Sequence, residues 1–294
     1  MTNTNQPDSV ITFDKKYPPK FKKVGRHVIS YRDCGGANSP VIVMLHGNPT
    51  WSFLYRKMLP FFGDYRVLVP DLLGFGYSDK PLLEDDFKVT YLAEVIEKLL
   101  TDLDVQPIVY IGQDWGGAIA SLLASRAKHK QIVLMNTYLP NLPIFSQPLR
   151  SLLRTKIGRF SVIHLDLFRK FAFSIGFSKK LTSGVKAGYN MPHSKVEDRL
   201  GVWAFPKQLP SNHDHEPVIK EIDSFLFDKK VNKLILWGVD DLALRIRHAR
   251  NSVKNLSNTT FIEIEEASHF LQEDQPAKIS KAILQWLFNQ KNQQ

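Results

Sequence analysis

The segment Ile108-Val109-Tyr110-Ile111-Gly112-Gln113-Asp114-Trp115-Gly116-Gly117-Ala118 sets one carboxylate between an apolar run and a run of helix formers. A buried strand passing through Gly-x-Asp-x-Gly straight into a helix lifts its central side chain onto a sharp elbow, the arrangement that elsewhere presents a serine nucleophile. The flanking glycines are required because so tight a turn leaves no room for Cβ atoms beside the nucleophile. The turn also delivers the side chain to a helix N-terminus, whose free N–H groups favour an anion. On this motif alone Asp114 has two readings, a nucleophilic carboxylate or a simple cap of the helix.

The candidate partners favour the first. After the apolar run Leu234–Trp237 comes Gly238-Val239-Asp240-Asp241, and after the last strand-like run comes Ala267-Ser268-His269-Phe270. Nucleophile, acid and histidine in that chain order is the α/β-hydrolase order. The sequence therefore predicts Asp114 as nucleophile, His269 as base and Asp241 as the acid that orients it, with Asp240 a rival that spacing does not exclude. A third segment, Leu45-His46-Gly47-Asn48-Pro49-Thr50-Trp51, follows an early strand. Such a loop can supply a backbone N–H to an oxyanion hole, paired with the N–H of Trp115. His46 reads as a structural residue that orients the loop.

The elements that would position these groups alternate along the chain. Strands are predicted over 28–34, 41–46, 65–70, 107–111, 131–136, 233–237 and 260–264, several as continuous apolar runs suited to burial on both faces. Helices are predicted over 89–103, 118–127 and 276–288. This alternation argues for an α/β-hydrolase fold, a mostly parallel central sheet with helices on both faces. From Tyr138 to His215 no buried strand is evident, and Phe, Leu and basic residues occupy helix-compatible runs. The expected organisation is a core of residues 1–137 and 216–294 with a helical cap over 138–215.

Composition narrows the function classes. The chain has 294 residues, 43% of them hydrophobic, and a formal net charge of +10. Between Asn141 and Glu216 stand twelve basic and five acidic residues, a local excess of +7, read as a solvated basic face. No helix-turn-helix, zinc-finger or basic–aromatic RNA signature accompanies the charge, so no nucleic-acid partner is expected. The polar N-terminus shows no leader pattern, and no apolar run reaches a membrane-spanning length. A basic, Phe-rich lid is the kind of segment that touches a bilayer surface, yet membrane contact is not expected. With Cys34 as the single cysteine, no internal disulfide can form, and a cytoplasmic location and a monomer or weak oligomer are expected. No His/Cys spacing suggests a metal, and the chemistry requires no cofactor.

Longer stretches carry a resemblance. His46-Gly47-Asn48-Pro49-Thr50-Trp51-Ser52-Phe53-Leu54-Tyr55-Arg56-Lys57-Met58, Pro70-Asp71-Leu72-Leu73-Gly74-Phe75-Gly76-Tyr77-Ser78-Asp79-Lys80-Pro81, the elbow, and His269-Phe270-Leu271-Gln272-Glu273-Asp274 resemble the haloalkane dehalogenases. Epoxide hydrolases share the elbow and a His-Gly-x-Pro loop, but Asn-Pro-Thr-Trp and Gln113 favour the dehalogenases. The resemblance implies displacement of halide from an sp³ carbon by Asp114, an enzyme ester, and its hydrolysis by water activated at His269. The implied substrate is a small apolar halogenated molecule, with water as co-substrate and halide as product. Asn48 and the indole of Trp115 are the implied halide donors. The chain departs from the family in its cap, where Phe171 stands at the position of a halide-binding Trp in one subgroup. Asn136 stands where another subgroup has its acid, which supports Asp241. The combination of Asp241 with Asn48 and Trp115 also occurs in a subgroup that includes β-lactone decarboxylases, so epoxide hydrolysis and β-lactone decarboxylation remain alternatives. Phe168, Phe171 and Trp203 are candidate pocket residues, although packing alone would also account for Trp203.

Overall fold

A computed structural model describes residues 6–143, 147–208 and 216–292. Eight strands form one sheet: β1 Lys20–Val24, β2 His27–Cys34, β3 Val41–Leu45, β4 Arg66–Pro70, β5 Pro107–Asp114, β6 Gln131–Thr137, β7 Asn232–Gly238 and β8 Thr259–Ile264. Their order is β1-β2-β4-β3-β5-β6-β7-β8, with β2 antiparallel to both neighbours and every later pair parallel. Seven of the eight match the predicted strands to within a few residues. The eighth, β1, has the sequence KFKKV, mostly exposed, and reads as a charge run because an edge strand needs no apolar alternation.

The parallel strands β3, β5, β6 and β7 are buried almost throughout, which is why their sequences are continuous apolar runs. Helices α1 Asp8–Lys16, α2 Val89–Asp102 and α3 Trp115–Arg126 precede β6. Between β6 and β7 the chain inserts α4 Gln147–Leu153, α5 Lys156–Ile163, α6 Leu167–Ile175, α7 Ser183–Asn190 and α8 Leu200–Lys207. The last part holds α9 Glu216–Phe227, α10 Ile246–Val253, the short α11 Leu271–Asp274 and α12 Pro276–Lys291. No strand interrupts α4–α8 among the described residues. The expected end of the insertion, at 215, lies outside them.

Strand order reverses between β3 and β5, and at such a switch point the loops leaving the carboxyl ends diverge to opposite faces and open a crevice. The pairing of Leu45 with Gly112 brings the loop after β3 beside the elbow after β5. The ends of β7 and β8 lie along the same edge. Every candidate residue of the core is therefore carried to one edge of the sheet.

Candidate active site

Asp114 ends β5 with φ +52° and α3 begins at the next residue. Such a φ is unfavourable for a residue with a side chain, so the surrounding structure must hold it. Two glycines make the turn possible: a Cβ on Gly112 would lie 2.4 Å from the Gly116 carbonyl oxygen, and one on Gly116 would lie 2.2 Å from that of Leu45. The Thr137 hydroxyl donates to the Asp114 carbonyl oxygen and pins the turn to β6. The Asp114 side chain makes no capping bond to α3, which removes the simple helix-cap reading.

The carboxylate is instead gripped from one side. The Asn48 backbone N–H donates to Oδ2 at 2.9 Å, and the Trp115 N–H adds to the pull that favours the charged carboxylate. Burial raises the Asp114 pKa, against the opposing pull of His269 and of these N–H donors. The other oxygen, Oδ1, lies 3.8 Å from His269 Nε2. His269 Nδ1 meets Asp241 Oδ2 at 2.8 Å. Burial disfavours a charged imidazole, but the hydrogen-bonded charge of Asp241, reinforced by Asp114, outweighs it and pushes the His269 pKa up to about 9.

Asp241, 2% exposed, is fully engaged. Its Oδ1 accepts from the backbone N–H groups of Ala243 and Leu244, and its Oδ2 from Asn136 Nδ2 at 2.6 Å as well as from His269. Asp240 points away and accepts from the Ser178 hydroxyl, so the structure separates two neighbours that spacing could not.

Several supporting contacts had no sequence signal. Asn136 bridges β6 and β7, donating to Asp241 and accepting from the Gly238 N–H. Gln113, wholly buried, donates to the His269 carbonyl oxygen at 3.1 Å. Downstream of His269, Asp274 accepts from the backbone N–H groups of Ser268 and Ser178, and Glu273 is paired with Arg56, Lys57 and the Tyr189 hydroxyl. These residues tie the histidine-bearing turn to the core on one side and to the insertion on the other. His46 has the structural place expected of it. Its Nε2 accepts from the Leu72 N–H, which leaves Nδ1 to donate to the Gly47 carbonyl oxygen. Burial lowers its pKa, keeping it neutral. Burial likewise pushes the Cys34 thiol up to about 11, the setting of an unreactive thiol.

A cavity of about 390 Å³ opens over the carboxylate. Asp114, His269, Asn48 and Trp115 form its polar end, and Phe168, Phe171, Ile175, Val218 and Leu244 contribute to an apolar wall. Asn48 Nδ2 donates one hydrogen to the Val202 carbonyl oxygen of α8, which leaves the second. Phe168 and Phe171 both line this cavity, Phe171 at its rim with 55% exposure. Trp203 is a correction: it does not line the cavity. Its ring is buried in the insertion and its indole N–H donates to the Leu153 carbonyl oxygen. Tyr138 lines the cavity but its hydroxyl donates to Asp223, and Tyr189 is buried against Glu273 outside it.

Residues 40–276 match the family model described as the alpha/beta hydrolase fold. The chain is 31% identical over 266 residues to haloalkane dehalogenase 2 of Mycobacterium tuberculosis, covering 87% of this chain and 90% of that protein. It is 32% identical over 267 residues to the haloalkane dehalogenase of Mycobacterium marinum, covering 87% of each. Its fold is similar to that of crystalline haloalkane dehalogenase DbeA from Bradyrhizobium elkani, with a TM-score of 0.84 at 23% identity over 94% of this chain and 99% of that one. With DatA from Agrobacterium tumefaciens the TM-score is 0.82 at 24% identity, over 92% and 96% of the two chains. By fold and by sequence relationship, the chain belongs to the haloalkane dehalogenase family of the α/β-hydrolase superfamily.

Proposed function

We propose that this protein hydrolyses carbon–halogen bonds of apolar halogenated substrates through a covalent ester on Asp114. The observation that carries this reading is the asymmetric setting of that carboxylate, with Oδ2 held by the Asn48 N–H and Oδ1 turned toward His269 in an apolar cavity. Oδ1 is the oxygen free to attack carbon. The electron pair of the breaking bond leaves with halide, which the Trp115 indole N–H and the remaining Asn48 amide hydrogen stabilise as its charge develops. In the ester, Oδ2 becomes the carbonyl oxygen, and its N–H donors become the oxyanion hole for attack by water.

The same geometry gives His269 its timing. Before alkylation two carboxylates favour the imidazolium. Ester formation removes the charge of Asp114, so His269 releases its proton more readily and becomes competent to take one from water. Asp241, held by Asn136 and two backbone N–H groups, keeps Nδ1 protonated and Nε2 directed at the ester. Alcohol leaves, the carboxylate is regenerated, and one proton passes to solvent. The hydrolytic half-reaction should therefore rise with pH, with an apparent pKa below the value of about 9 that His269 has beside the free carboxylate. Pre-steady-state pH profiles of ester decay measure it.

We further propose that residues 138–215 serve as the cap, since α6 supplies Phe168 and Phe171 to the cavity wall and the Val202 carbonyl oxygen of α8 accepts from Asn48. Epoxide opening needs tyrosine hydroxyls aimed at the substrate oxygen. The two tyrosines of this region are committed to Asp223 and Glu273, which argues against it. The test is a panel of brominated and chlorinated alkanes, styrene oxide and a β-lactone, with halide, diol, and alkene with carbon dioxide as readouts. Halide release abolished by Asp114→Ala is the expected result. Diol or alkene without halide from any member would transfer the same nucleophile to another reaction.

A further inference from the structure

The insertion exposes an apolar surface quite unlike the rest of the molecule. Among the described residues, seven of the sixteen exposed large hydrophobic side chains fall between Leu149 and Phe171. They follow helical spacing: Leu149 and Leu152 on α4, Ile157 and Phe160 on α5, Leu167 and Phe171 on α6, with Leu165 in the turn between the last two. Ile157 is 74% exposed and Phe160 53%. Helices α4 and α5 have another face for packing, as Leu153, Val162 and Ile163 are buried. Helix α4 packs on α5 and α5 on α6, so the exposed faces adjoin.

The exposed charges on α4–α6 themselves have one sign. Lys156, Arg159 and Lys170 are exposed among the apolar side chains, whereas Lys179, beyond α6, is paired with exposed Glu266. Asp166 is the single carboxylate between Asn141 and Val196; it is buried and ion-paired with Arg169. An apolar ridge whose own helices expose cations and no carboxylate is complementary to a layer that is apolar inside and anionic at its surface. A second copy of this chain is not such a partner, because a two-fold contact would set the cations against themselves. Protein interfaces also tend to exclude lysine from their apolar centres.

We propose that α4–α6 form a docking surface for an anionic lipid bilayer, with Ile157 and Phe160 entering the acyl boundary and the surrounding cations meeting headgroup phosphates. This runs against the sequence expectation that the basic, Phe-rich lid makes no membrane contact. Among the described residues no helix is long and apolar enough to cross a membrane, so the contact is superficial. Phe171 belongs both to this face and to the rim of the cavity, so docking sets the cavity mouth at the lipid surface, where apolar molecules concentrate. The surface stands whatever the leaving group at Asp114 proves to be.

Sedimentation of the full-length protein with vesicles of phosphatidylcholine alone, or of phosphatidylcholine with phosphatidylglycerol, tests this. Binding to the anionic vesicles, weakened by salt and absent from the neutral ones, is expected. Ile157→Glu with Phe160→Glu should weaken it about tenfold or more, and Lys156→Glu with Lys170→Glu should do likewise. Neither pair contributes to the reacting groups, so turnover of a small water-soluble bromoalkane should be unchanged and reports folding. The proposal is overturned if anionic vesicles do not carry the protein down. Undiminished binding by both variants also overturns it, because net charge alone would then be responsible. A dimer that the Ile157/Phe160 variant converts to monomer would assign the face to a second copy of the chain instead.

Discussion

The carboxyl edge of the sheet and the inserted helices meet at one cavity but are built on opposite plans. At the sheet edge the polar groups are held by short contacts from neighbouring elements: Asp241 by Asn136, His269 and two backbone N–H groups, and Asp114 by the loop after β3. The insertion contributes mainly apolar surface to the cavity and leaves Phe171 half in water. Preorganised polar groups lower a barrier only if they do not move as charge develops, whereas an apolar wall chiefly sorts substrates by shape. The difference assigns the chemical step to the sheet edge and selectivity to the helices. Substitutions in the two regions should separate accordingly.

The largest effect is expected at Asp114. Asp114→Ala should abolish halide release while the circular dichroism spectrum is retained; appreciable turnover would end the carboxylate mechanism. His269→Ala should leave alkylation in place and stop hydrolysis, so the intact protein should gain the mass of the alkyl group after exposure to substrate. Asp241→Asn should slow ester hydrolysis by about 10⁴-fold, the scale seen when a triad acid is replaced by its amide. Here the new amide would also face Asn136. Asn136→Ala sharpens the comparison, because this residue acts on Asp241 and touches no substrate. Loss of one buried hydrogen bond to a charged group is worth about 2 kcal/mol, so ester hydrolysis should fall about thirtyfold. Equal slowing of alkylation would show a merely structural defect. The smallest effect belongs to the helices: Phe171→Ala, at a half-exposed rim, should raise KM about fivefold for bulky substrates. The single-turnover alkylation rate at saturation should not change.

These outcomes bear on how much of the molecule its sequence reveals. The elbow is legible because the tight turn demands glycine at fixed local positions, and no long-range contact is needed to recognise it. Buried parallel strands are legible for the same local reason, as continuous apolar runs. Edge strand β1 has no such pattern, because its lysines face water and its pairing partner, not its composition, makes it a strand. Asp240 and Asp241 are chemically identical neighbours, and only the end of β7 beside β8 turns one toward His269 and the other toward Ser178. Trp203 illustrates the converse case. An indole in an aromatic segment suggests a pocket, but packing gives its N–H to Leu153.

The sequence by itself determined the alternation of seven apolar strands with helices, the Gly-x-Asp-x-Gly elbow and the chain order of Asp114, an acid at 240 or 241, and His269, since each depends on residue type and short spacing. Tertiary structure decided which oxygen of Asp114 is held, that Asn136 and Gln113 brace the site, and that Ile157 and Phe160 face outward. These depend on side-chain direction and on strands far apart in the chain, which periodicity and spacing do not encode.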